Sequence, residues 1–303
     1  MNRRLGLLFP FLLFAGCGPA SSGEEPVVTE QAFKTAGELE AKKLDEASGI
    51  VAGNNGVFFL HNDGGEHLFA IDGTGADLGR MKVTDAKNKD WEDITRVIGE
   101  DGPMLVIADT GDNHNSRKKV RLYFIQEPAQ ADFNGKLKPL HRVDVRYEDG
   151  PRDVEAVAYD SSSDMILFLS KRDKPPRLYG IPADLAMWED KLEAKFLGEV
   201  PGFRPPTRQD ILGHPKRGLW VSQPTGMDIS ADGKTAAVIT YRSLYVFKRQ
   251  DGETWAEAFQ REPVEYLGPP GLHDEGVGFS ADQKSIYVVT ERRPAPVSRL
   301  DLD

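Results

Sequence analysis

One short phrase recurs four times along the chain, and it constrains the fold more than any other feature. Each copy is a glutamate followed by small or apolar residues; these glutamates are Glu46, Glu92, Glu155 and Glu275. A turn and an apolar strand, such as 57–60 or 165–169, follow the phrase. Self-similarity at this period indicates a repeat architecture, and short strands separated by turns are typical of a β-propeller. We therefore predict an all-β propeller of five blades, with six blades as the alternative.

The spacing of the copies supports the repeat. The stretches Glu46–Leu60 and Glu155–Leu169 both span 15 residues, so the first and third copies match without a gap. Counting back from a shared Ser-Ala-Asp turn places Thr225 where Glu275 stands, which makes a fifth copy without its acid. A sixth blade would have to lie in the proline-rich insertion 201–224.

The last blade is short of one strand. After Glu275 only about three strands remain, so a fourth has to come from elsewhere in the chain. A strand within residues 30–44 would complete this blade and close the ring, which removes an exposed sheet edge. We predict this closure, and a single propeller domain over residues 30–303.

The N-terminus reads as a targeting segment. Two arginines precede the apolar stretch 5–15, which is too short to span a membrane as a helix. The sequence Leu-Phe-Ala-Gly before Cys17 resembles the lipobox of bacterial lipoproteins. This resemblance implies a signal peptide over residues 1–16, cleavage before Cys17 and diacylglycerol on its sulfur. An ordinary signal peptide with an incidental cysteine is the alternative.

The lipobox resemblance also implies a cellular location. Residues 17–29 would be the lipidated cysteine and a flexible tether, since they are rich in Gly, Pro, Ser and Glu. A multiply acylated cysteine is a stable anchor, so a membrane would be a partner through Cys17. Gly18 differs from the aspartate that retains lipoproteins in the inner membrane of enteric bacteria, which favours the outer membrane of the cell envelope.

Charge and cysteine content exclude some functions. The formal net charge is −10, which argues against nucleic-acid binding because that requires clustered Lys and Arg. An acidic balance is compatible with cation binding. Cys17 is the only cysteine, so an internal disulfide is impossible.

The repeated acids would meet at one rim of the central channel, because the innermost strand of each propeller blade lines it. Carboxylates this close cannot all stay ionised without compensation. A hard cation such as Ca²⁺ would neutralise them, and so would protonation in part. Alternatively, each acid accepts hydrogen bonds from a neighbouring blade or pairs with Arg and Lys. The predicted metal ligands are Glu46, Glu92, Glu155 and Glu275.

The loops after the second strands of the blades are predicted to lie on the same side as this rim. They offer polar and cationic groups that suit a small anionic ligand: Asn62, Asp109, Asn113, Lys171, Arg172, Arg242 and Arg292. Asp63 and Asp112 in the same loops are candidate catalytic residues. The alternatives are turn formation by Asp, Asn and Gly, and pairing of the cations with the channel glutamates.

Several motifs together resemble a family of bacterial extracytoplasmic β-propeller proteins. The most specific are Asp-Trp-Glu-Asp-Ile at 90–94 and Gly-Asp-Asn at 111–113, and the resemblance covers roughly residues 45–292. It implies the propeller fold. More distantly, the blade starts resemble the gluconolactonase and regucalcin superfamily, in which an acid before a Gly-Pro pair binds a divalent metal. The four glutamates here have no proline after them. Propeller phytases and calcium-activated apyrases also use channel acids with calcium.

Three functions are consistent with these features. The first is a lipid-anchored envelope propeller that binds a ligand or a partner at the channel mouth through Ca²⁺. The second is a metal-dependent hydrolase of a phosphoester or lactone, in which a channel glutamate, Asp63 or Asp112 acts as the base. The third is a scaffold for envelope protein complexes.

Overall fold

The computed structural model describes residues 28–29, 33–186, 189–269, 273–291 and 293–302. The predicted lipidation site Cys17 and the predicted ligand residue Arg292 lie outside these ranges. Among the described residues, no helix is long and apolar enough to cross a bilayer.

Strands make up most of the described chain. The first eleven are β1 (Val28–Thr29), β2 (Phe33–Glu38), β3 (Ala47–Ala52), β4 (Phe58–Asn62), β5 (His67–Ile71), β6 (Asp77–Val83), β7 (Asp93–Gly99), β8 (Gly102–Asp109), β9 (Val120–Gln126), β10 (Lys136–Leu137) and β11 (His141–Tyr147). The others are β12 (Val154–Asp160), β13 (Met165–Ser170), β14 (Arg177–Pro182), β15 (Lys191–Glu199), β16 (Pro224–Ile229), β17 (Thr235–Thr240), β18 (Ser243–Lys248), β19 (Val264–Leu267), β20 (Asp274–Phe279), β21 (Ser285–Thr290) and β22 (Pro296–Asp301). Three short helices are α1 (Ala183–Ala186), α2 (Arg208–Gly213) and α3 (Trp255–Ala258).

The described strands form antiparallel units of four, which we name blades 1 to 5 in chain order. Blade 1 consists of β3–β6, blade 2 of β7, β8, β9 and β11, and blade 3 of β12–β15. Blade 4 consists of β16–β19, and blade 5 of β20–β22 with β2. The innermost strands β3, β7, β12, β16 and β20 contact one another in this order, and β20 contacts β3. They therefore encircle one axis, which confirms the predicted β-propeller.

Ring closure follows the prediction. Strand β2 pairs antiparallel with β22, from Phe33 opposite Leu300 to Glu38 opposite Pro296, and so completes blade 5. Residues 201–223, all of which are described, form α2 and turns and contain no strand. One pairing was not predicted: the outer strands β11 and β15 pair in parallel and join blades 2 and 3 into an eight-stranded sheet.

Apolar cores lie between neighbouring blades, so each blade buries both faces. Strand β17 is buried at every position, as its near-continuous apolar sequence requires. Trp91 is fully buried in the core between blades 1 and 2. Gly49 lets β3 approach β7 closely: its φ is +61°, and a Cβ there would lie 2.9 Å from the Cα of Asp93. The inner strands thus converge tightly below the channel mouth.

Candidate functional site

Four equivalent backbone hydrogen bonds mark where the innermost strands begin. In each, an N–H of the loop after a blade's second strand donates to a carbonyl before its first strand, over 2.8–3.2 Å. The donors are Asp63, Gly111, Lys171 and Glu291, and the corresponding acceptors are Glu46, Asp90, Asp153 and His273. These four acceptors therefore occupy one structural position, at the rim of the channel.

The repeated position lies two residues further along the chain. It is held by Ser48, Glu92, Glu155, Thr225 and Glu275, so the ring carries three carboxylates and two hydroxyls. The predicted equivalence of Glu46 with Glu155 is wrong, because Glu46 corresponds to Asp153. A slip of two residues keeps every side chain on the same face of a strand, so the apolar pattern could not reveal it.

Three buried carboxylates converge at the mouth. One oxygen from each of Glu92, Asp153 and Glu155 lies within 4.8 Å of the other two. Glu92 and Glu155 were predicted as ligands, whereas Asp153 was missed. A signal for it exists in the sequence, since Asp90-Trp-Glu92 and Asp153-Val-Glu155 share an acid two residues before the glutamate. We call Glu92, Asp153 and Glu155 the carboxylate triad.

Lys171 compensates one member of the triad. Its ammonium group forms a buried ion pair with Glu155 and donates to the Tyr241 hydroxyl, 2.8 Å away. Burial alone would lower the pKa of Lys171, but Glu155, Tyr241 and Glu275 raise it above its ordinary value. Burial raises the pKa of Glu155 to about 7, although the Lys171 charge opposes this shift. The lysine is therefore a fixed cation of the site.

Arg172 compensates a second member. Its guanidinium pairs with the Asp153 carboxylate and donates to the side-chain oxygen of Asn113. Asp153 also accepts the backbone N–H of Asp112 at 2.7 Å. The structure thus brings together Lys171, Arg172 and Asn113 of the predicted ligand residues beside the triad.

Glu92 is the uncompensated member. It is only 7% exposed, and within the described residues no hydrogen bond reaches its carboxylate. Burial, followed by the charges on Glu155, Asp63 and Asp90, raises its pKa well above the ordinary value. Gly111 makes room for this side chain, because a Cβ there would lie 2.1 Å from Glu92 Oε1. A buried carboxylate in this state favours an additional cation or proton.

Two further acids face the same mouth. Burial and the charge on Glu155 raise the pKa of the half-buried Glu275 well above its ordinary value, against the opposing charge of Lys171. Asp63 is exposed at the mouth, and the surrounding protein atoms partly desolvate its carboxyl. This desolvation, followed by the charges on Glu291 and Glu46, raises the pKa of Asp63 to about 7. The mouth therefore has a marked excess of acidic groups.

Other predicted site residues belong to the surrounding loops rather than to the triad. Glu46 is exposed and outside the triad. The Asn62 amide donates to the Lys43 carbonyl at 2.7 Å and the Asp45 carboxylate at 3.1 Å. Arg242 is buried and pairs with Asp210 at 2.7 Å, rather than with a channel glutamate.

Asp109 and Asp112 both hold the Arg117 segment. The Asp109 carboxylate pairs with the Arg117 guanidinium at 2.9 Å, and Asp112 accepts the Arg117 backbone N–H at 2.7 Å. Burial raises the pKa of Asp109, with Arg117 opposing the shift. These contacts shape the loop that carries Asn113 into the site.

Inter-blade hydrogen bonds come from residues other than the glutamates. Asp93 accepts the backbone N–H groups of Ile94, Val157 and Met227 at 2.9, 2.8 and 3.2 Å, and so joins three innermost strands. Asp228 accepts those of Ile229 and Phe279, both at 2.8 Å. The predicted stapling by an acid is thus present, but it belongs to Asp93, next to Glu92, and to Asp228, three residues after Thr225.

The two hydroxyls of the ring are satisfied in the same way. Ser48 Oγ donates to the Glu92 carbonyl at 2.6 Å, and Thr225 Oγ1 donates to the Asp274 carbonyl at 2.7 Å. Each hydroxyl therefore links its blade to the next one. Within the ring, the two hydroxyls thus use their O–H groups as donors between blades, whereas the glutamates contribute acceptor oxygens.

The triad has the dimensions that a cation requires. Ca²⁺ takes oxygen ligands at about 2.3–2.6 Å, so two ligands on opposite sides of the ion lie about 4.6–5.2 Å apart. Oxygens within 4.8 Å of one another fit this range. Carboxylates are also the ligands that hard divalent cations prefer.

Comparison with known proteins supports the fold. No family model matches the chain, and no curated protein matches it. Among solved structures, the PQQ-bound aldose sugar dehydrogenase of Streptomyces coelicolor is similar over 88% of this chain and 97% of its own, with 11% identity and a TM-score of 0.51. This similarity agrees with the β-propeller fold described above and concerns the fold alone.

Two other structures show weaker similarity. A candidate gluconolactonase matches over 86% of this chain and 76% of its own, at 12% identity and a TM-score of 0.46. A luciferin-regenerating enzyme matches over 91% and 95%, at 9% identity and a TM-score of 0.45. At TM-scores below 0.5, neither adds to the fold assignment.

Proposed function

We propose that this chain is a lipid-anchored envelope propeller that binds a divalent cation, Ca²⁺ first, at the channel mouth and takes a small anionic ligand there. The observation that carries the proposal is Glu92, a buried carboxylate without a hydrogen bond that points at two other buried carboxylates. Glu92, Asp153 and Glu155 would hold the ion. The ion would supply positive charge and open coordination positions to an anion.

The protein's own cations support an anionic ligand. Lys171 and Arg172 lie beside the triad and are fixed by Glu155, Tyr241 and Asp153. Once a divalent ion shares these carboxylates, the two cations would no longer be fully balanced by them. Arg and Lys held in place in this way suit a phosphate or a carboxylate.

The test is thermal unfolding of the purified full chain with chelator and with millimolar CaCl₂. A ligand at 100 times its dissociation constant adds about 2.7 kcal/mol of stability, so a clear rise in Tm is expected. Glu92→Gln should abolish the rise, since it removes the uncompensated charge. Glu46→Gln is the matched control, because Glu46 is an exposed acid on the same rim and should leave the rise intact. The proposal fails if Ca²⁺ does not raise the Tm of the unsubstituted chain.

Hydrolysis of a phosphoester or lactone is the second candidate, and Asp63 favours it. This carboxyl is accessible in the same mouth and has a pKa raised to about 7 by desolvation and neighbouring acids, which suits a general base near neutral pH. We expect chelator-sensitive turnover in a screen of such esters, and its loss in Asp63→Asn with calcium binding retained. Turnover that persists in Asp63→Asn would exclude this role.

A further inference from the structure

An apolar protrusion stands on the mouth face of the propeller. Large apolar side chains are exposed on the insertion between β15 and β16: Leu212 by 68%, Leu219 by 59%, Trp220 by 46% and Ile211 by 38%. Gly218 packs directly on the backbone of α2, since a Cβ there would lie 2.4 Å from the Asp210 carbonyl oxygen. Leu219 and Trp220 thus follow directly on a backbone contact with residues 210–211, and we call Ile211, Leu212, Leu219 and Trp220 the apolar tip.

The base of the tip is held firmly. Buried Arg242 pairs with Asp210 at 2.7 Å and donates to the Arg204 carbonyl at 2.5 Å. Arg204 in turn pairs with Glu265 on β19, through Nε and Nη2, each at 2.8 Å. The tip is therefore a preformed feature of blade 4. Exposed apolar groups in this number, on a fixed support, mark an interaction site.

The charge around the tip differs from the charge of the whole chain. The chain carries −10. Beside the apolar side chains lie the exposed cations Arg208 and Lys216, whereas the acid of this segment, Asp210, is engaged by Arg242. Leucine and tryptophan bordered by basic residues are the composition of segments that enter the interface of an anionic bilayer.

The tether leads to the same blade. Val28 on β1 pairs with Glu265, the residue that Arg204 binds at the base of the tip. Val28 is eleven positions after the predicted anchor Cys17, which limits the distance between them to about 40 Å. An anchor at Cys17 would thus hold Val28 within about 40 Å of the bilayer, and the apolar tip would determine which face meets it.

We propose that the apolar tip docks into the surface of the bilayer that carries the anchor, with Leu212, Leu219 and Trp220 at the interface and Arg208 and Lys216 against anionic headgroups. This inference rests on the lipid anchoring of the proposed function. It orients the channel mouth toward the membrane surface, since Leu219 of the tip and Lys171 line one groove of about 340 Å³.

The test places a polarity-sensitive thiol dye at position 212 through Leu212→Cys, in the full chain reconstituted in phosphatidylcholine–phosphatidylglycerol vesicles. Leu140→Cys is the matched control, because Leu140 is 63% exposed and lies at the outer edge of blade 2. We expect a blue shift and a severalfold loss of iodide quenching at position 212, and neither at position 140. Arg208→Gln with Lys216→Gln should weaken the shift. A dye at position 212 that stays as exposed to water as the one at position 140 overturns the docking.

Flotation of the unsubstituted chain separates this inference from the anchor. A chain that floats with vesicles and takes up no thiol dye is anchored, and the dye at position 212 then decides docking. If Cys17 takes up dye and the chain does not float, the anchoring proposal fails. In that case the same dye pair, read on a Cys17→Ser background with added vesicles, decides docking alone. A shift that disappears when protein density on the vesicle is lowered assigns the tip to a second copy of the chain and overturns the proposal.

Discussion

Glu92 and Asp93 are neighbours in sequence, are both buried, and have opposite roles. All three hydrogen bonds to the Asp93 carboxylate come from backbone N–H groups of innermost strands, whereas no hydrogen bond within the described residues reaches the Glu92 carboxylate. Burial raises the pKa of both groups well above its ordinary value. Only Asp93 has donors that offset this burial.

The contrast distinguishes a residue that stabilises the fold from a neighbouring residue that belongs to the candidate site. A buried acid that satisfies the backbone of three strands is explained by the fold, as polar groups in protein interiors are normally paired. A buried acid that satisfies nothing is unfavourable for stability and is consistent with binding. Where β7 begins, a member of the candidate site and an inter-blade staple are therefore adjacent residues.

The largest expected effect comes from breaking the structural side of this pair. Asp93→Ala should lower the free energy of unfolding by about 3–9 kcal/mol, because three buried N–H groups each lose a partner at about 1–3 kcal/mol. Glu92→Gln in chelator should change it by less than about 1 kcal/mol, since no native hydrogen bond is lost. Urea unfolding at pH 7 measures both. Equal losses in the two variants would show that Glu92 is also a staple.

Asp228 provides an intermediate case in the same comparison. It accepts two backbone N–H groups rather than three, so Asp228→Ala should fall between Glu92→Gln and Asp93→Ala in the same measurement. A loss larger than that of Asp93→Ala would contradict a count of donors as the origin of the effect.

A smaller effect on stability is expected from a change in pH, and it arises from Glu155 in the candidate site. Below 4.5, the ordinary pKa of a glutamate, the Glu155 carboxyl is protonated in both the folded and unfolded states. Between 4.5 and about 7 the folded state binds the proton and the unfolded state does not, so its contribution to stability falls as pH rises. The loss by pH 8 should be on the order of 3 kcal/mol, because one pKa unit corresponds to about 1.4 kcal/mol.

The measurement is urea unfolding from pH 4 to 8 in chelator, with the unsubstituted chain compared with Glu155→Gln. Taking the difference removes the contribution of groups that do not interact with Glu155. Calcium should reduce the fall, since a cation stabilises the ionised carboxylate. A difference that grows in favour of the unsubstituted chain as pH rises would mean that the Lys171 pair outweighs burial.

The smallest effect is expected at the hydroxyl positions of the ring. Thr225→Val removes one hydrogen bond, from Oγ1 to the Asp274 carbonyl, and should cost about 1 kcal/mol. The calcium-dependent rise in Tm should remain, because Thr225 is on a blade without a triad residue. Thermal unfolding with and without CaCl₂ checks both statements. Loss of the rise would extend the site across the channel to blade 4.

The repeat in the sequence was enough to predict the propeller and its closure by an N-terminal strand. Strand periodicity and turn residues are local signals, and β2 was inferred from a blade that lacked a strand. The position of the acids was harder, because a slip of two residues is invisible to a pattern of period two. Only the backbone bonds show that Glu46 corresponds to Asp153 and Ser48 to Glu155.

The ion-pair and hydrogen-bond partners of polar side chains could not be predicted from the sequence, for a different reason. Arg242 follows a strand end as Arg172 does, yet it binds Asp210 in the insertion, whereas Arg172 binds Asp153 of the triad. Which acid a loop arginine reaches depends on how a distant segment packs. The role of Asp93 was equally hidden, because its three donors belong to strands up to 134 residues away.

The pairing of β2 with β22 also determines when β2 can pair during synthesis of the chain. Lys34 and Asp301, which form an ion pair across these strands, are 267 residues apart. Because synthesis begins at the N-terminus, β2 has no partner until the last strand of the chain has been made. Closing so long a loop is slow, and an unpaired strand invites aggregation meanwhile. The strand that completes blade 5 in the finished protein thus stays unpaired while the rest of the chain is made.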